Sequence, residues 1–252
     1  MLRAFATTQP ESTGIDDILL LDKEESHHLA RVRRVRQGEP VEVLNGRGTR
    51  WRCVYEGLQG NAAALRVVKL KHTPRPGCLV TLAQAIPLGK AMETIVQKAS
   101  ELGIHRIVPL LTANCEVKLD AERAGNKAEK YRAIAIEACK QCGGPWLPEI
   151  ATPQPLAPFL ATESAGFDLR CTAALTPNSS ELRHYLSTRE HAPKNACWLV
   201  GSEGDFTPLE YNAIESQQWL PVTLGPNVLR ADTAAVAALS ILLYELRIRN
   251  VV

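Results

Sequence analysis

Residues 78–252 alternate between short apolar segments typical of strands and amphipathic segments typical of helices. The pattern predicts strands over 78–85, 106–111, 171–175, 197–200 and 221–224, and helices over 91–102, 127–142, 180–186, 208–217 and 233–247. Residues 145–160 hold five prolines and are predicted to form an irregular connection. Apolar strands that alternate with helices form parallel sheets covered on both faces. We therefore expect an α/β domain over 78–252.

Residues 1–77, which precede this domain, have a different sequence pattern. Residues 73–77 contain two prolines and a glycine, which predicts a linker. Residues 1–72 hold short runs rich in Val, Leu, Trp and Tyr, separated by glycines about every ten residues, which predicts a small β-barrel domain. Its strands are expected over 16–21, 40–45, 51–56 and 63–70, with one helical turn over 23–32.

The charge of the chain is concentrated in this first domain. Residues 27–75 contain eleven lysines and arginines against three acids, a net of +8. Such a block indicates either a polyanion-binding appendage or a solvated basic face. In the first case Arg31, Arg33, Arg34 and Arg47 are the candidate phosphate contacts. Nearby aromatic residues, Trp51 and Tyr55, either stack on bases or fill the barrel core.

Other patterns exclude several classes of protein. The longest apolar run, 234–244, is broken only by Ser240 and is far shorter than the roughly 20 residues of a membrane span. Residues 1–13 lack the apolar stretch of a secretory signal. Seven scattered cysteines favour free thiols and a cytoplasmic protein over a disulfide framework. The single Cys139-x-x-Cys142 pair favours two small helix residues over a zinc site. We expect no metal and no membrane association.

The sequence from Leu199 to Glu210 predicts a strand that enters a glycine-containing loop and then a helix. Thr207 and Glu210 form a capping box at the start of that helix. Gly201 and Gly204 permit a close approach of the backbone to a ligand, and the carboxyl end of a parallel strand is where open α/β sheets bind ligands. The alternative is an ordinary strand–helix turn. The spacing of a dinucleotide-binding fingerprint is absent, which disfavours a nucleotide-dependent oxidoreductase.

A second loop, residues 224–233, lies between the last predicted strand and the last predicted helix. It brings Arg230 and Asp232 toward the edge that carries Glu203, and three ionisable groups at adjacent strand ends make a plausible site. In the alternative interpretation, Asp232 or Thr233 only caps the helix and Arg230 is a surface charge.

Several motifs occur in the order found in the RsmE family of SPOUT-class methyltransferases, and the chain resembles that family over nearly its whole length. They are His28-Leu29, Val32-Arg33-Arg34, Asn45-Gly46-Arg47-Gly48, Gln97-Lys98 with Glu101 and Gly103, Gly201-Ser202-Glu203-Gly204, Leu224-Gly225 and Leu229-Arg230 with Thr233-Ala234. The resemblance implies methylation of N3 of a uridine in small-subunit (16S) ribosomal RNA, with S-adenosylmethionine as cofactor. It also implies a PUA-like β-barrel over 1–72, a trefoil-knotted SPOUT domain over 78–252, and a homodimer that acts on ribosomal RNA or on the assembled small subunit.

The resemblance also implies roles for single residues. Arg230 is expected to stabilise the developing negative charge on the uracil, and Glu203 to act as the base or to orient its loop. Because three strand-end loops converge on one edge, we expect the cofactor pocket to be lined by Leu175, Gly201, Glu203, Gly204, Leu224, Gly225, Val228 and Leu229.

The chain departs from the family pattern at five positions, one of which is Asp232, where the family usually has glutamate before Thr233-Ala234. Asn114, Gly144 and Asn227 stand where the family usually has arginine, and Asp205 stands where it usually has a second glycine. Fewer arginines and an added carboxylate lower the positive charge available to RNA. An alternative is therefore a divergent paralogue that binds RNA with weak or altered methyltransferase activity, or with none.

Overall fold

The computed structural model describes residues 1–6, 13–117 and 119–249. The chain forms two compact units, one made of Met1–Arg75 with Ile136–Leu147 and the other of Pro76–Ala135 with Pro148–Val252. Among the described helices, none is both long enough and apolar enough to cross a membrane.

The first unit is built on a five-stranded sheet. Its elements are β1 (Leu2–Phe5), β2 (Ile18–Leu20), α1 (Lys23–His27) with a π-helical turn (His28–Val32), β3 (Pro40–Leu44), β4 (Thr49–Gln59) and β5 (Ala62–His72). The strand order is β1-β3-β4-β5-β2, with β1 parallel to β3 and the other pairs antiparallel. The four predicted strands are present with shifted ends, whereas β1 was not predicted because four residues including Arg3 carry too little periodic signal.

The inner face of this sheet encloses a hydrophobic core. Trp51 has no exposed surface, Tyr55 is 5% exposed, and both pack among Leu19, Leu29, Val41, Val43 and Leu65. The two aromatic residues therefore fill the core, and neither is available to stack on a base.

The end of a later helix completes this unit. The helix α3 (Ala121–Cys142) runs out of the second unit, and Cys139 packs against Phe5 and Leu44. The buried Lys140 Nζ lies 2.6 Å from a carboxylate oxygen of Glu25 and 2.8 Å from one of Glu137. Burial opposes the charged form of Lys140, but the two carboxylates outweigh it and raise the pKa of the amine. The segment 136–147 is thus held by apolar packing and by a charged contact.

The second unit contains a parallel sheet with strands β6 (Leu79–Ala85), β7 (Arg106–Leu111), β8 (Glu149–Ile150), β9 (Gln154–Pro155), β10 (Leu169–Ala173), β11 (Asn195–Val200) and β12 (Leu220–Val222). Its order is β12-β10-β11-β6-β7-β8, and β9 also pairs with β7. Its remaining helices are α2 (Ala91–Leu102), α4 (Leu156–Glu163), α5 (Leu182–Ser187), α6 (Pro208–Ser216) and α7 (Ala231–Arg249). All of its strand pairs are parallel, as the alternating pattern predicted.

Both faces of this sheet are covered. Ala83 and Leu199 point into a cluster with α4 and α6, while their neighbours Leu82 and Trp198 are also fully buried on the opposite side. The irregular connection predicted over 145–160 was wrong in part, because this stretch holds β8, β9 and the start of α4. Pro155 occupies the N-cap of α4, outside the helix interior where proline is disruptive.

The last helix begins two residues earlier than predicted. The carbonyl oxygen of Arg230 accepts a hydrogen bond from the amide of Ala234 at 2.8 Å, which makes Arg230 the residue that precedes the first turn. Among the described residues, the only hydrogen bond that the Asp232 side chain accepts comes from the adjacent amide of Thr233, at 2.8 Å. Neither Asp232 nor Thr233 is therefore the N-cap of α7.

Candidate functional site

The candidate site lies at the carboxyl ends of three neighbouring strands. Because β12, β10 and β11 are adjacent and parallel, the loops that follow them leave the sheet at one edge. These loops begin at Ala174, Gly201 and Thr223. The strand order, which the sequence pattern alone does not supply, places these three loops side by side at that edge.

A cavity of about 460 Å³ opens between these loops. Seven of the eight residues expected to contact a cofactor line it: Leu175, Gly201, Glu203, Leu224, Gly225, Val228 and Leu229. Arg230 lines it as well, together with Ser202, Asp205 and Asn227, which sequence reasoning did not assign to the pocket. Gly204 is absent from the lining.

Glycine is required at positions 201 and 204 for two different structural reasons. A Cβ atom on Gly201 would lie 2.6 Å from Oδ1 of Asp205, so the carboxylate covers the glycine closely. A Cβ atom on Gly204 would lie 2.9 Å from the Cβ of Asn114. Gly204 is therefore required by packing against a neighbouring loop, which explains why it does not face the cavity.

Two side chains hold the start of this loop. Gln84, fully buried at the end of β6, donates from Nε2 to the carbonyl oxygen of Gly201 at 3.0 Å. Glu203 accepts at Oε2 a hydrogen bond from the backbone amide of Leu88 at 3.1 Å. The loop after β11 is thus tied to the segment that follows β6.

Asp205 and Asn114 hold the rest of the loop. Asp205 adopts a left-handed backbone conformation with φ of 52°, which costs a residue with a Cβ atom roughly 1 kcal/mol. Its Oδ2 accepts a hydrogen bond from the Tyr211 hydroxyl at 2.8 Å, and burial together with this carboxylate raises the pKa of Tyr211. Asn114 Nδ2 donates to the carbonyl oxygens of Gly204 and Asp205 at 2.7 and 3.1 Å. The sequence feature that could have pointed to Asp205 and Asn114 is that both positions depart from the residues usual in the family.

The predicted capping box is confirmed at the start of α6. The Glu210 amide donates to Oγ1 of Thr207 at 3.3 Å, and the Thr207 amide donates to Oε2 of Glu210 at 2.9 Å. The other oxygen of Glu210 accepts from the amide of Ala113 at 2.8 Å. One carboxylate thereby fixes both the helix end and the loop after β7.

Arg230 is exposed at the mouth of the cavity. Within the described part of the chain, it forms no ion pair with Glu203, Asp205 or Asp232. Its guanidinium is therefore available to a ligand. The ion pair with Glu203 or Asp232 that would limit Arg230 to holding the loops together is not formed among the described residues.

The lining suits a ligand with an apolar ring and polar ends. Leu175 is 54% exposed and Val228 is 87% exposed, so two apolar side chains stand open at the rim. The Ser202 hydroxyl is buried and has no hydrogen-bond partner among the described residues, a state that a ligand donor or acceptor would relieve. The volume falls in the range of small-molecule sites. A nucleoside with an amino-acid side arm, such as S-adenosylmethionine, fits this combination.

The four candidate phosphate contacts are all exposed but are not gathered at one place. Arg31, Arg33 and Arg34 lie in or just after the π-helical turn, before β3 begins. Arg47 follows the other end of β3, in the loop to β4. The five-residue strand β3 lies between them in the chain, so Arg47 follows one end of the strand and the other three precede its opposite end.

The cysteines form no disulfide among the described residues. All seven are free thiols, and among the described residues no group of three His, Cys, Asp or Glu side chains could hold a metal ion. In the Cys139-x-x-Cys142 pair, burial raises the pKa of Cys139 to about 12 while Cys142 is exposed. Two such different environments do not resemble a shared metal site.

Similarity to known protein families agrees with this architecture. A family model described as an RNA methyltransferase domain matches residues 74–243, and one described as an RNA methyltransferase PUA domain matches residues 21–68. The fold and the strand-end cavity therefore define an RNA methyltransferase that carries a PUA domain. The chain belongs to the ribosomal RNA small subunit methyltransferase E family.

Individual relatives show how far the likeness extends. The Synechocystis member is 32% identical over 90% of this chain and 73% of its own length, and the Bacillus subtilis member is 29% identical over 88% of both. A protein of Legionella pneumophila, described as a methyltransferase and solved in complex with S-adenosylmethionine, superposes with a TM-score of 0.86 at 32% identity over 97% of both chains. The Neisseria gonorrhoeae member, bound to S-adenosylmethionine, matches in fold with a TM-score of 0.84 at 23% identity over 97% of this chain and 98% of its own.

Proposed function

We propose that the chain transfers a methyl group from S-adenosylmethionine to N3 of a uridine in small-subunit ribosomal RNA. The observation that carries the proposal is the cavity at the ends of β10, β11 and β12, with Arg230 at its mouth, in a member of this family. The Legionella pneumophila protein was solved with this donor, which supports the cofactor. The Synechocystis and Bacillus subtilis relatives are named as small-subunit ribosomal RNA methyltransferases, which supports the substrate.

The donor is held by the seven predicted residues that line the cavity, while Gly204 acts indirectly by keeping the loop in place against Asn114. Apolar side chains such as Leu224 and Leu229 would contact its adenine, and the Ser202 hydroxyl would gain a polar partner. When bound, S-adenosylmethionine supplies a methyl group already activated by a sulfonium, so the reaction requires no metal.

Arg230 is proposed as the residue that stabilises the uracil. The N3 proton must leave for the nitrogen to attack, and negative charge then develops on the adjacent carbonyl oxygens. A guanidinium at the cavity mouth would stabilise this charge, and Arg230 is supported in that role because it lies there without an acidic partner among the described side chains.

Glu203 is proposed as a loop-orienting residue. Its hydrogen bond from the Leu88 amide supports this role over that of a general base, because one carboxylate oxygen is engaged by the protein. The base would then be solvent or another group, and the activity would depend on how Glu203 keeps Gly201 and Arg230 aligned.

Substrate binding is proposed to use the basic first unit, with phosphate contacts from Arg31, Arg33, Arg34 and Arg47. The substrate is the ribosomal RNA or the assembled small subunit, and the protein acts in the cytoplasm as a homodimer. The free thiols support the compartment. The dimer is supported by α7, where Ile241 and Tyr244 are 39% and 62% exposed on a largely apolar helix.

A methylation assay with radiolabelled S-adenosylmethionine tests the proposal. Small subunits and naked 16S ribosomal RNA from cells without this modification serve as two substrates, and mass spectrometry of nuclease fragments locates the methyl group. Methylation at a uridine N3 is expected, whereas a methyl group on another atom would contradict the position. RNA binding with no transfer would favour the divergent paralogue, for which Asp205 and Asn114 in the cofactor loop are the structural grounds.

A further inference from the structure

The outer face of the β4–β5 pair carries four cations in register. Arg50 lies directly opposite Lys71, and Arg52 lies directly opposite Lys69. We call these four residues the β4–β5 basic face. Opposed side chains on neighbouring strands are about 5 Å apart at Cβ, and alternate residues along a strand about 7 Å apart, so the four charges occupy a compact patch.

The described residues leave this patch with a net positive charge. Glu42 lies opposite Arg52 on β3, but its carboxylate pairs with Arg3 at 2.8 Å, and Glu56 pairs with Arg66. The four cations form no ion pair with any described acid, and the buried Nε of Arg50 has no hydrogen-bond partner. The face therefore keeps a net positive charge, which Glu42 reduces at the β3 side of Arg52.

This arrangement is unfavourable for the fold itself. Like charges directly opposite each other on neighbouring strands destabilise an antiparallel pair, and this ladder contains two such pairs side by side. A partner that supplies several closely spaced negative charges would remove the repulsion. A nucleic acid backbone has that property, with one phosphate per nucleotide.

We propose that the β4–β5 basic face is a second RNA-contacting surface of this protein, which binds the phosphodiester backbone of the ribosomal RNA substrate. The inference rests on the proposed function for the identity of the RNA. It adds a surface distinct from Arg31, Arg33 and Arg34, which precede β3, whereas Arg47 lies next to β4 and would extend the β4–β5 basic face.

The test measures affinity for naked 16S ribosomal RNA as a function of salt with the full-length protein. Arg52→Gln with Lys69→Gln removes one opposed pair, and Arg123→Gln with Lys194→Gln removes the same charge from exposed positions of the other unit. We expect the first variant to bind about tenfold more weakly near physiological salt, with a salt slope flatter by about 1.4, from 0.7 for each phosphate contact in single-stranded RNA. The control variant should match wild type.

Two further measurements protect the test from a folding artefact. The variant Arg52→Lys with Lys69→Arg keeps the charge and should retain affinity. The melting temperature of the Gln variant should not fall, because it removes a like-charge repulsion, and a purely structural role for these residues predicts the opposite.

Each outcome decides between the two proposals. A face variant that binds like the Arg123/Lys194 control would overturn the second surface, and so would a loss of affinity confined to assembled subunits, which would indicate a protein partner. A wild-type protein that binds 16S ribosomal RNA but methylates nothing would contradict the proposed function. The affinities of the β4–β5 basic face variants would still decide whether that face binds RNA. A wild-type protein that binds neither naked 16S ribosomal RNA nor assembled small subunits would overturn both.

Discussion

Replacing Gly201 by alanine should disturb the cofactor loop through one identifiable contact. The new Cβ would lie 2.6 Å from Oδ1 of Asp205, with the Cα of the same residue next at 3.4 Å. For an ordinary contact, the carboxylate oxygen must move by about 0.8 Å. That movement is opposed by the Tyr211 hydroxyl, which holds the other oxygen at 2.8 Å.

The magnitude follows from that hydrogen bond. A hydrogen bond to a charged group contributes roughly 1.5–3 kcal/mol, and because Asp205 is exposed we take about 1.5 kcal/mol as the cost of Gly201→Ala. Asp205→Gly loses the same bond but relieves about 1 kcal/mol of left-handed backbone strain, for a net cost of about 0.5 kcal/mol. Without the carboxylate, Gly201→Ala should be neutral, so the two substitutions are expected to couple by about 1.5 kcal/mol.

Chemical denaturation of the wild type, both single variants and the double variant measures this coupling. Calorimetric titration with S-adenosylmethionine should follow the same pattern, with binding weakened by Gly201→Ala and restored in the double variant. Tyr211→Phe is the matched control, because it frees the carboxylate to move and should make Gly201→Ala less costly. If Gly201→Ala costs the same in the presence and absence of Asp205, the reasoning is refuted. The larger Gly201→Val should abolish binding in both backgrounds, since it fills the cavity itself.

Three further predictions concern charged groups, namely Arg230 and Glu203 at the cavity and Asp168 just before β10. Arg230→Ala should lower single-turnover methylation by about 10²–10³-fold with little change in cofactor affinity, and a normal rate would remove Arg230 from the mechanism. Glu203→Gln keeps an acceptor for the Leu88 amide and should retain activity within about threefold, whereas Glu203→Ala should not; loss of activity in both would support a base instead. Hydrogen bonds from the Asn195 and Lys194 amides lower the pKa of Asp168, so its stabilisation is present above pH about 4 and lost as the pH falls through the lower folded pKa. Between pH 5 and pH 3 the melting temperature of wild type should therefore fall more than that of Asp168→Asn, and parallel curves would contradict this assignment.

Local features of the fold could be predicted from the sequence, whereas contacts between distant residues could not. The helix α2 and the strand β7 have the predicted ends, because α2 has a regular apolar face and ends at Gly103, whose φ of 77° suits glycine. The convergence of the strand-end loops was expected once a parallel sheet was inferred. The contacts that shape the cavity were not, since Asn114 is 90 residues from Gly204 in the chain. Periodicity carries no information about such pairs. The trefoil knot implied by the resemblance stays a prediction.

The segment 136–147 has a consequence for the order in which the protein forms. The first unit needs these residues to cover Phe5 and Leu44 and to supply Lys140 as the partner of Glu25, yet they are synthesised long after β5. At roughly 5–20 residues per second, the ribosome requires about 4–15 s to extend the chain from His72 to Leu147. During this interval the nascent sheet lacks its last apolar cover. We therefore expect arrest-peptide measurements to register folding of the amino-terminal unit only after Leu147 has left the exit tunnel, so that most of the chain is made before its first unit is complete.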